Sequence, residues 1–288
     1  MKVLVLGGTR YFGKILVQKL LDAGHQVSIA STGKTPPQFS GKFEHIKIDR
    51  SSEASLTSAF QGRDWNIAYD QIGFSSNEAR ILSRVLHKKI EHLIFTSSQS
   101  VYDPGLSLSE SDFTAEFYDE NDQTKNLYQE GKRRAEKEFT TQIGFSVSSV
   151  RFPIVLGTDD YTKRLNWHIS RIKNALPIYF PNINSRIGFI SSEEAGQFLF
   201  WLLDKNLNGS VNAGSSDSIS LRELVEVIES QLAKKIVFAA HPEKDSHSPF
   251  GISSDWTMNM NKAEKLGFQF SRHQDWLPDL IAKLSGIV

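Results

Sequence analysis

Residues 4–14 of the chain read LVLGGTRYFGK, and this stretch decides the fold. The apolar run over residues 2–6 is typical of a strand that is buried on both faces. It leads into Gly7 and Gly8, and Gly13 follows at the start of an amphipathic stretch. Strand, glycine turn and helix in this order predict a βαβ unit whose helix N-terminus offers free N–H groups to a phosphate. An ordinary strand–turn–helix with capping glycines is the alternative interpretation.

The first half of the chain repeats this alternation of short apolar runs and helical patterns. Strands are predicted over residues 26–30, 45–49, 66–70, 92–98 and 145–152, and helices over 13–23, 53–61, 76–88 and 125–142. The alternation predicts an α/β fold built on a doubly wound parallel sheet. Beyond residue 157 the pattern is less regular, with amphipathic helices predicted over 191–205 and 220–235, and it predicts a smaller α+β lobe.

Composition narrows the class of protein. Lys and Arg number 33 and Asp and Glu also number 33, which argues against a nucleic-acid partner because proteins that bind nucleic acid usually concentrate basic charge. Cysteine is absent, and the eight histidines show no metal-ligand spacing, so no metal site is expected. The chain has neither a signal peptide pattern nor an apolar run long enough for a bilayer, so we expect a cytoplasmic protein without a membrane partner.

Gly7, Gly8 and Gly13, between a buried strand and a helix, have the context of a dinucleotide-binding fingerprint, and the end of the second predicted strand then indicates which dinucleotide binds. An acidic residue that hydrogen-bonds a ribose 2′-hydroxyl is expected there, yet residues 23–43 contain no Asp or Glu. The strand ends instead at Ser31 and Thr32, followed by Lys34. Arg10, in the glycine turn, can pair with a 2′-phosphate through its fork of N–H donors. We therefore predict NADP in preference to NAD, although Lys34 can equally be a solvated loop charge.

A second motif places Tyr128 and Lys132 one helical turn apart. A free tyrosine has a pKa near 10, and a nearby ammonium lowers that pKa by favouring the phenolate. Ser98 ends a predicted parallel strand, where open α/β sheets bind their ligands, and could hydrogen-bond the oxygen that Tyr128 protonates. Taken singly, the tyrosine–lysine spacing can be a chance match and Ser98 a turn former.

Together these motifs resemble the short-chain dehydrogenase/reductase superfamily, in its extended branch of NAD(P)-dependent sugar epimerases and dehydratases. The resemblance runs nearly end to end, through the stretches IDRSS (48–52), FTSSQSVY (95–102), VRFPIVLG (150–157), GFISSEEAGQFL (188–199) and NMNKAEKLGF (259–268). The Gly-Gly-x-x-x-x-Gly turn is similar to that of atypical members, which include isoflavone-reductase-like, sugar-dehydratase-like and chloroplast stem-loop RNA-binding proteins. YDQIGFS (69–75) departs from the small residues usual at the end of the fourth strand.

The resemblance implies a Rossmann-type sheet and a division of the chain. The dinucleotide-binding domain is expected over residues 1–157, with a re-entry segment near 187–212. The substrate-binding lobe is then formed by residues 158–186 and 213–288. Relatives often dimerise by packing two helices from each subunit, so a homodimer is a further expectation.

The resemblance also assigns site residues. Tyr128 is the implied acid/base, Lys132 the implied holder of the nicotinamide ribose, and Ser98 the residue that orients the substrate oxygen. The implied cofactor-binding residues are Gly7, Gly8, Thr9, Arg10, Tyr11, Phe12, Gly13, Ser31, Thr32, Lys34, Asp49, Arg50, Gln71, Ile72, Thr96, Ser97, Phe152 and Pro153. The implied substrate-binding residues are Gln99, Ser100, Arg164 and Arg186.

The implied activity is hydride transfer at a hydroxyl-bearing carbon of a nucleotide sugar or a similar small molecule. An epimerase, a dehydratase and a reductase share this motif, so it does not separate them. The alternative is a non-catalytic NAD(P)-sensing regulator or an RNA-associated binding protein on the same fold. Against it, a protein without turnover has no chemical need for Ser98, Tyr128 and Lys132 together.

Overall fold

The computed structural model describes residues 1–119, 127–142 and 144–286 of the chain. The chain forms two compact units. Unit 1 comprises Met1–Tyr102, Ser109–Phe152 and Ser192–Ala213, and unit 2 comprises Asp103–Leu108, Pro153–Ser191 and Gly214–Val288.

Strands and helices are numbered along the chain. The strands are β1 (Lys2–Leu6), β2 (Gln26–Ser31), β3 (Phe43–Lys47), β4 (Ile67–Asp70), β5 (His92–Ser98), β6 (Ser146–Phe152), β7 (Ile154–Leu156), β8 (Pro177–Ile178), β9 (Arg186–Ile187), β10 (Phe189–Ser191), β11 (Gly209–Asn212), β12 (Ile219–Ser220) and β13 (Val237–Phe238). The α-helices are α1 (Phe12–Asp22), α2 (Glu53–Ala59), α3 (Ser76–Leu86), α4 (Leu127–Thr141), α5 (Arg164–Lys173), α6 (Ser192–Trp201), α7 (Leu221–Leu232), α8 (Asn261–Lys265) and α9 (Leu277–Ser285).

Unit 1 is built on a parallel sheet with the strand order β11-β6-β5-β4-β1-β2-β3. Helices α1 and α6 pack against each other, while α2, α3 and α4 form a second group. The doubly wound α/β fold predicted from the sequence is therefore confirmed. Because every strand in this sheet is parallel, the residues that follow β1, β2, β4 and β5 meet at one edge.

Local sequence explains these elements. Four of the five residues of β1 are buried, as expected for a central parallel strand. Helix α3 begins at a capping box, in which Ser75 and Glu78 satisfy each other's backbone N–H groups. Gly196 lets α6 approach α1 closely, since a Cβ atom there would lie 2.7 Å from Cβ of Ile15.

Among the strands, predicted and observed bounds differ most at β3. The strand runs from Phe43 to Lys47, two residues earlier than the predicted 45–49. As an edge strand it buries only Ile46, so its hydrophobic alternation is too weak to fix its ends. The first two residues of the helix predicted over 125–142 lie outside the described residues.

Unit 2 contains α5, α7, α8 and α9 with short strand pairs β7–β10, β8–β13 and β9–β12. Its core gathers apolar side chains of α5, α7 and α9. The predicted helix over 220–235 is observed as α7, which Ser220 caps at its N-terminus in a capping box with Glu223. In the described part of the chain no helix combines the length and apolar character that crossing a bilayer requires.

Candidate functional site

The glycine turn between β1 and α1 leads directly into the N-terminus of the helix. Gly7 and Gly8 have φ angles of 94° and 78°, which favour glycine. A Cβ atom at Gly8 would lie 2.8 Å from Val5 and 2.9 Å from Val17, so glycine also permits the close packing of strand and helix. No side-chain cap closes the first turn of α1 in the described structure. The backbone N–H of Lys14 donates to the Tyr11 carbonyl at 2.9 Å, and the positive dipole end of α1 favours an anion at this turn.

Residues at or after the ends of β4 and β5 supply further polar groups on the carboxyl side of the sheet. A Cβ atom at Gly13 would overlap Oε1 of Gln71, so the Gln71 side chain lies directly against the turn. The amide nitrogen of Gln71 and the hydroxyls of Thr96 and Ser100 are buried without a hydrogen-bond partner among the described residues. Buried polar groups are normally satisfied, so unused groups at the edge where ligands bind fit a polar ligand. A dinucleotide carries hydroxyl, amide and phosphate oxygens that could accept hydrogen bonds from these groups, so their chemistry is compatible with a bound dinucleotide.

Arg10 extends from the glycine turn to the loop after β2. Its Nε and one terminal nitrogen donate to Oγ1 of Thr35 at 3.0 and 2.8 Å. The side chain is exposed, and a neutral hydroxyl is its partner.

Two residues of β3 face the same loop. His45 Nε2 lies 2.9 Å from Oγ of Ser31, and the Lys47 stem packs against Gly33. Sequence interpretation missed Thr35, His45 and Lys47, although the cluster of polar residues around Lys34 was a usable signal.

Lys132 is buried, and its ammonium is fixed by two backbone carbonyls. Its Nζ donates to the carbonyl oxygen of Gly73 at 2.7 Å and to that of Thr96 at 2.8 Å. The ammonium also lies 4.8 Å from the ring centre of Phe95 and 6.0 Å from that of Tyr128. Burial lowers the pKa of Lys132 to about 8, and the neighbouring carboxylate of Asp70 opposes this shift.

Tyr128 lies one turn before Lys132 on α4 and is half exposed. Its ring contacts the ring of Phe74, with 5.7 Å between the centres. Phe74 belongs to the unusual segment after β4, and no sequence pattern indicated this contact. Tyr128 is thus a half-exposed tyrosine with a buried cation near its ring.

Ser98 is the last residue of β5, two residues after the carbonyl that holds Lys132. Its Oγ accepts a hydrogen bond from the backbone N–H of Ser100 at 3.1 Å. An accepted bond leaves the Ser98 hydroxyl proton free to be donated to a ligand oxygen. Strand β5 and helix α4 are thus joined through Lys132, next to Ser98.

Arg50 and Asp70 form a buried, two-pronged ion pair at the same sheet edge. The guanidinium nitrogens donate to the two carboxylate oxygens at 2.8 and 2.5 Å. Side-chain exposure is 8% for Arg50 and 0% for Asp70. Sequence interpretation named Arg50 as a cofactor contact and omitted Asp70. A carboxylate at the end of a fully buried strand was the available signal.

A second buried ion pair underlies β5 and α4. Arg151 and Glu136 are joined by bonds of 3.0 and 2.6 Å, each with a side-chain exposure of 1%. Glu136 also accepts a hydrogen bond from the hydroxyl of Ser97, and Arg151 donates to the hydroxyl of Tyr102 at 2.8 Å. The Ser97 hydroxyl, which was predicted to contact the cofactor, therefore donates to a buried carboxylate of the protein. The pair ties α4 to β5 and β6, the strands that flank the site.

The other predicted residues have varied surroundings. Asp49 is exposed, and hydrogen bonds from Ser51 lower the pKa of its carboxyl group. Phe12 packs on Phe152, with ring centres 5.6 Å apart, while Ile72 is exposed. Among the described residues no cluster of three His, Cys, Asp or Glu side chains could hold a metal ion.

Three predicted site residues belong to unit 2. Pro153 is buried, and Arg164 begins α5. Arg186 is bound within its own unit: its guanidinium donates to Oγ of Ser218 at 2.9 Å, to the carbonyl of the same residue, and to Glu223 at 3.4 Å.

Comparison with known proteins shows which family the chain matches. The model of the NAD dependent epimerase/dehydratase family matches residues 3–214. The chain is 28% identical over 199 residues to the chloroplast stem-loop binding protein of 41 kDa b from Arabidopsis thaliana. That match covers 65% of this chain and 50% of the relative, so this chain matches about half the length of that curated protein.

Solved structures share the fold at low sequence identity. The UDP-glucose 4-epimerase of Thermus thermophilus, in complex with NAD, superimposes with a TM-score of 0.79 at 18% identity over 100% of both chains. The dTDP-glucose 4,6-dehydratase of Bacillus anthracis, in complex with NAD, gives 0.75 at 16% identity, covering 100% of this chain and 97% of that one. These likenesses support the Rossmann-type fold.

Proposed function

This chain belongs to the NAD dependent epimerase/dehydratase family, a family of oxidoreductase-type enzymes, and we propose that it catalyses hydride transfer at a hydroxyl-bearing carbon with Tyr128 as acid/base. The observation that carries the proposal is the buried ammonium of Lys132, fixed at Gly73 and Thr96 one helical turn from an accessible tyrosine. Among the described residues this ammonium has backbone carbonyls, and no carboxylate, in hydrogen-bond contact. Such a buried cation is costly, and stabilising a phenolate gives it a chemical role.

Tyr128, Lys132 and Ser98 would each have a separate role in the proton transfer. The Tyr128 hydroxyl, once ionised, would accept the proton of a substrate hydroxyl and later return it. Lys132 would stabilise the phenolate, and Ser98 would donate to the same substrate oxygen. A nicotinamide cofactor, held by the glycine turn with Gln71 and Thr96, supplies the hydride acceptor and donor when bound.

We propose NADP in preference to NAD. Arg10 supports this choice because its guanidinium already lies beside the end of β2, held by the Thr35 hydroxyl. A 2′-phosphate offers such an arginine a stronger, charge-assisted partner. The absence of an acidic residue after β2 removes the group that would repel this phosphate.

We propose a nucleotide sugar as the substrate, because the structural neighbours include enzymes named for UDP-glucose and dTDP-glucose. Gln99 and Ser100 follow Ser98 at the sheet edge and are proposed to contact the sugar, and the Ser100 hydroxyl is an unused donor among the described residues. Arg164 and Arg186 are proposed for the nucleotide phosphates; Arg186 would have to exchange a bond to Ser218 or Glu223.

The test begins with binding and ends with turnover. Purified protein is titrated with NADPH and with NADH while nicotinamide fluorescence is followed, and then incubated with a panel of UDP- and dTDP-sugars. Tyr128→Phe should lose turnover while keeping cofactor affinity, and Tyr161→Phe, at another exposed tyrosine, serves as the matched control. Equal turnover by Tyr128→Phe and the parent would exclude the proposed acid/base.

A second candidate is favoured by the Arabidopsis relative, whose name describes a stem-loop binding protein. On this proposal the chain binds structured RNA, with or without turnover. Fluorescence anisotropy with a labelled RNA stem-loop at two salt concentrations tests it, because phosphate contacts weaken steeply with salt. Binding that is unaffected by NADPH and by Tyr128→Phe would separate this function from the enzymatic one.

We also propose a cytoplasmic location and a homodimer. The relative's name places that protein in the chloroplast, so fractionation of the source cell is the direct measurement of location. Light scattering of the purified chain measures the oligomeric state.

A further inference from the structure

Four consecutive backbone N–H groups, at residues 72–75, are held by two carboxylates. Oδ1 of Asp70 accepts from the first two, at 3.1 and 2.9 Å. Oε2 of Glu78 accepts from the last two, at 2.9 and 3.2 Å. This 72–75 segment, between β4 and α3, therefore has its backbone N–H groups fixed by side chains rather than by strand or helix bonds.

A single guanidinium joins the two carboxylates. Arg50 donates to both oxygens of Asp70, and its Nε lies 3.6 Å from Oε2 of Glu78. The Arg50 side chain is 8% exposed, and Nε is buried without a hydrogen-bond partner among the described residues. A Cβ atom at Gly73 would lie 2.8 Å from Arg50, so the segment rests directly on the guanidinium. The planar fork of arginine is suited to this bridging, whereas an ammonium is a point charge.

The opposite side of the 72–75 segment faces α4. The Gly73 carbonyl accepts from Nζ of Lys132 at 2.7 Å, and the Phe74 ring contacts the ring of Tyr128. The Phe74 carbonyl is so close to α4 that a Cβ atom at Gly131 would lie 2.6 Å from it. The segment thus contacts both members of the Tyr-x-x-x-Lys pair and the glycine between them.

We propose that Arg50 is a positioning residue, which holds the 72–75 segment in place and through it sets the geometry of Lys132 and Tyr128. The roles of Tyr128 and Lys132 in catalysis rest on the proposed function, whereas the contacts that link Arg50 to them do not. It replaces the expectation that Arg50 contacts the bound cofactor. Because its guanidinium is occupied by Asp70 and screened from solvent, Arg50 acts through the segment.

Charged groups around Lys132 allow a measurement that needs no substrate. Four of them face the ammonium: Asp70, Glu78 and Glu136, which raise its pKa, and Arg50, which lowers it. Replacing Arg50 by glutamine removes the cation and leaves the three carboxylates, so the pKa of Lys132 should rise. Arg50→Lys keeps the charge but loses the bridging fork, so that variant isolates geometry from charge.

The experiment uses NMR on the full chain labelled with ¹³C at lysine and tyrosine. Lys132 and Tyr128 signals are assigned by their loss in Lys132→Arg and Tyr128→Phe. In Arg50→Gln we expect the ¹³Cε titration of Lys132 to move to higher pH, and the Tyr128 ring signals to move toward those of an exposed tyrosine. In Arg50→Lys only the ring shift is expected to be large. A fall in NADPH affinity is expected only together with these shifts, since Arg50 would act on the cofactor site through the 72–75 segment.

Two further variants make the outcome decisive. Arg84→Gln, which removes an exposed arginine on the same helix as Glu78, is the matched control and should move neither signal. If Arg50→Gln does not fold, Glu78→Gln serves instead. It keeps an acceptor for the N–H groups of Phe74 and Ser75 but loses the negative charge that faces Arg50, so the Tyr128 ring signals should still shift. Loss of NADPH affinity in Arg50→Lys with unmoved Lys132 and Tyr128 signals would overturn the proposal and restore Arg50 as a cofactor contact. Failure to find turnover does not affect these readouts, since none of them uses a substrate.

Discussion

Arg10 and Arg50 lie on the same carboxyl edge of one sheet, yet their guanidinium groups are held in opposite ways. Arg10 is exposed, and the Thr35 hydroxyl is its hydrogen-bond partner. Arg50 is buried and paired through two bonds with Asp70. The sequence suggested the same role for both. The environment separates them, because a buried arginine needs a carboxylate, whereas an exposed one can exchange a weak partner for a ligand.

The same contrast extends to the two ends of the site in unit 1. The loop after β2 is held by neutral hydroxyls and contains exposed side chains such as Lys34 and Thr32. The edge formed by β4, β5 and α4 is held by buried charges, with Arg50–Asp70 on one side and Arg151–Glu136 on the other. A binding end can adapt to its ligand, while acid/base chemistry needs groups fixed within a fraction of an ångström.

The largest effect should come from breaking the buried pair. Asp70→Asn removes the carboxylate that binds two guanidinium nitrogens of Arg50 and leaves the buried charge with the longer contact to Glu78, and breaking a buried pair costs about 3–5 kcal/mol of unfolding free energy. Urea unfolding followed by circular dichroism measures the change. A midpoint equal to that of the parent would show that the pair does not brace the sheet edge.

Breaking the exposed end should leave stability intact and change cofactor choice. Arg10→Ala removes a charge-assisted partner of a 2′-phosphate, which is worth about 1.5–3 kcal/mol, or roughly a 10- to 100-fold loss of NADPH affinity. NADH affinity should not change. Equal losses for both cofactors would mean that Arg10 contacts the pyrophosphate or only supports the turn.

The pH dependence of turnover tests the role of the buried Lys132 ammonium. The lowered pKa of Lys132, about 8, means that the ammonium is present at pH 7 and is lost as the pH rises through 8. Turnover that depends on the ammonium should fall by about tenfold between pH 7 and pH 9. A rate that stays flat to about pH 10 would show that the charge of Lys132 is not needed.

The smallest effect is expected at an exposed ion pair on the same unit. Arg84 and Glu53 are 2.6 Å apart, and both side chains are about half exposed. Glu53→Gln should change the urea midpoint little, because water screens such pairs. Comparison of Glu53→Gln with Asp70→Asn separates the effect of burial from the effect of charge, because each variant removes one carboxylate charge from an ion pair. A loss as large as that of Asp70→Asn would contradict the distinction.

Much of unit 1 was predictable from the sequence. Strands β1, β2, β4, β5 and β6 were placed within about one residue, since buried parallel strands have continuous apolar runs. The helix predicted over 76–88 is observed as α3, and the glycine turn was recognisable from its spacing. The edge strand β3 was predicted two residues too late, because only one of its residues is buried and the apolar pattern that marks strand ends is therefore weak.

Partners across the sheet edge were not predictable. Thr35 is 25 residues from Arg10, Asp70 is 20 from Arg50, and Gly73 is 59 from Lys132. Backbone carbonyls such as those of Gly73 and Thr96 also carry no residue-specific signal. For that reason the sequence indicated which residue types could act, but not what holds them.

The sequence by itself determined the fold and the chemical groups: a parallel sheet, an open glycine turn, and a tyrosine and lysine on one helix. These follow from local periodicity and spacing, which short-range sterics and burial enforce. Only the tertiary structure decided that Lys132 is buried and fixed, that Arg10 is available and that Arg50 is not. The physical reason is that burial and ion pairing arise between segments that meet only when the parallel strands align their ends.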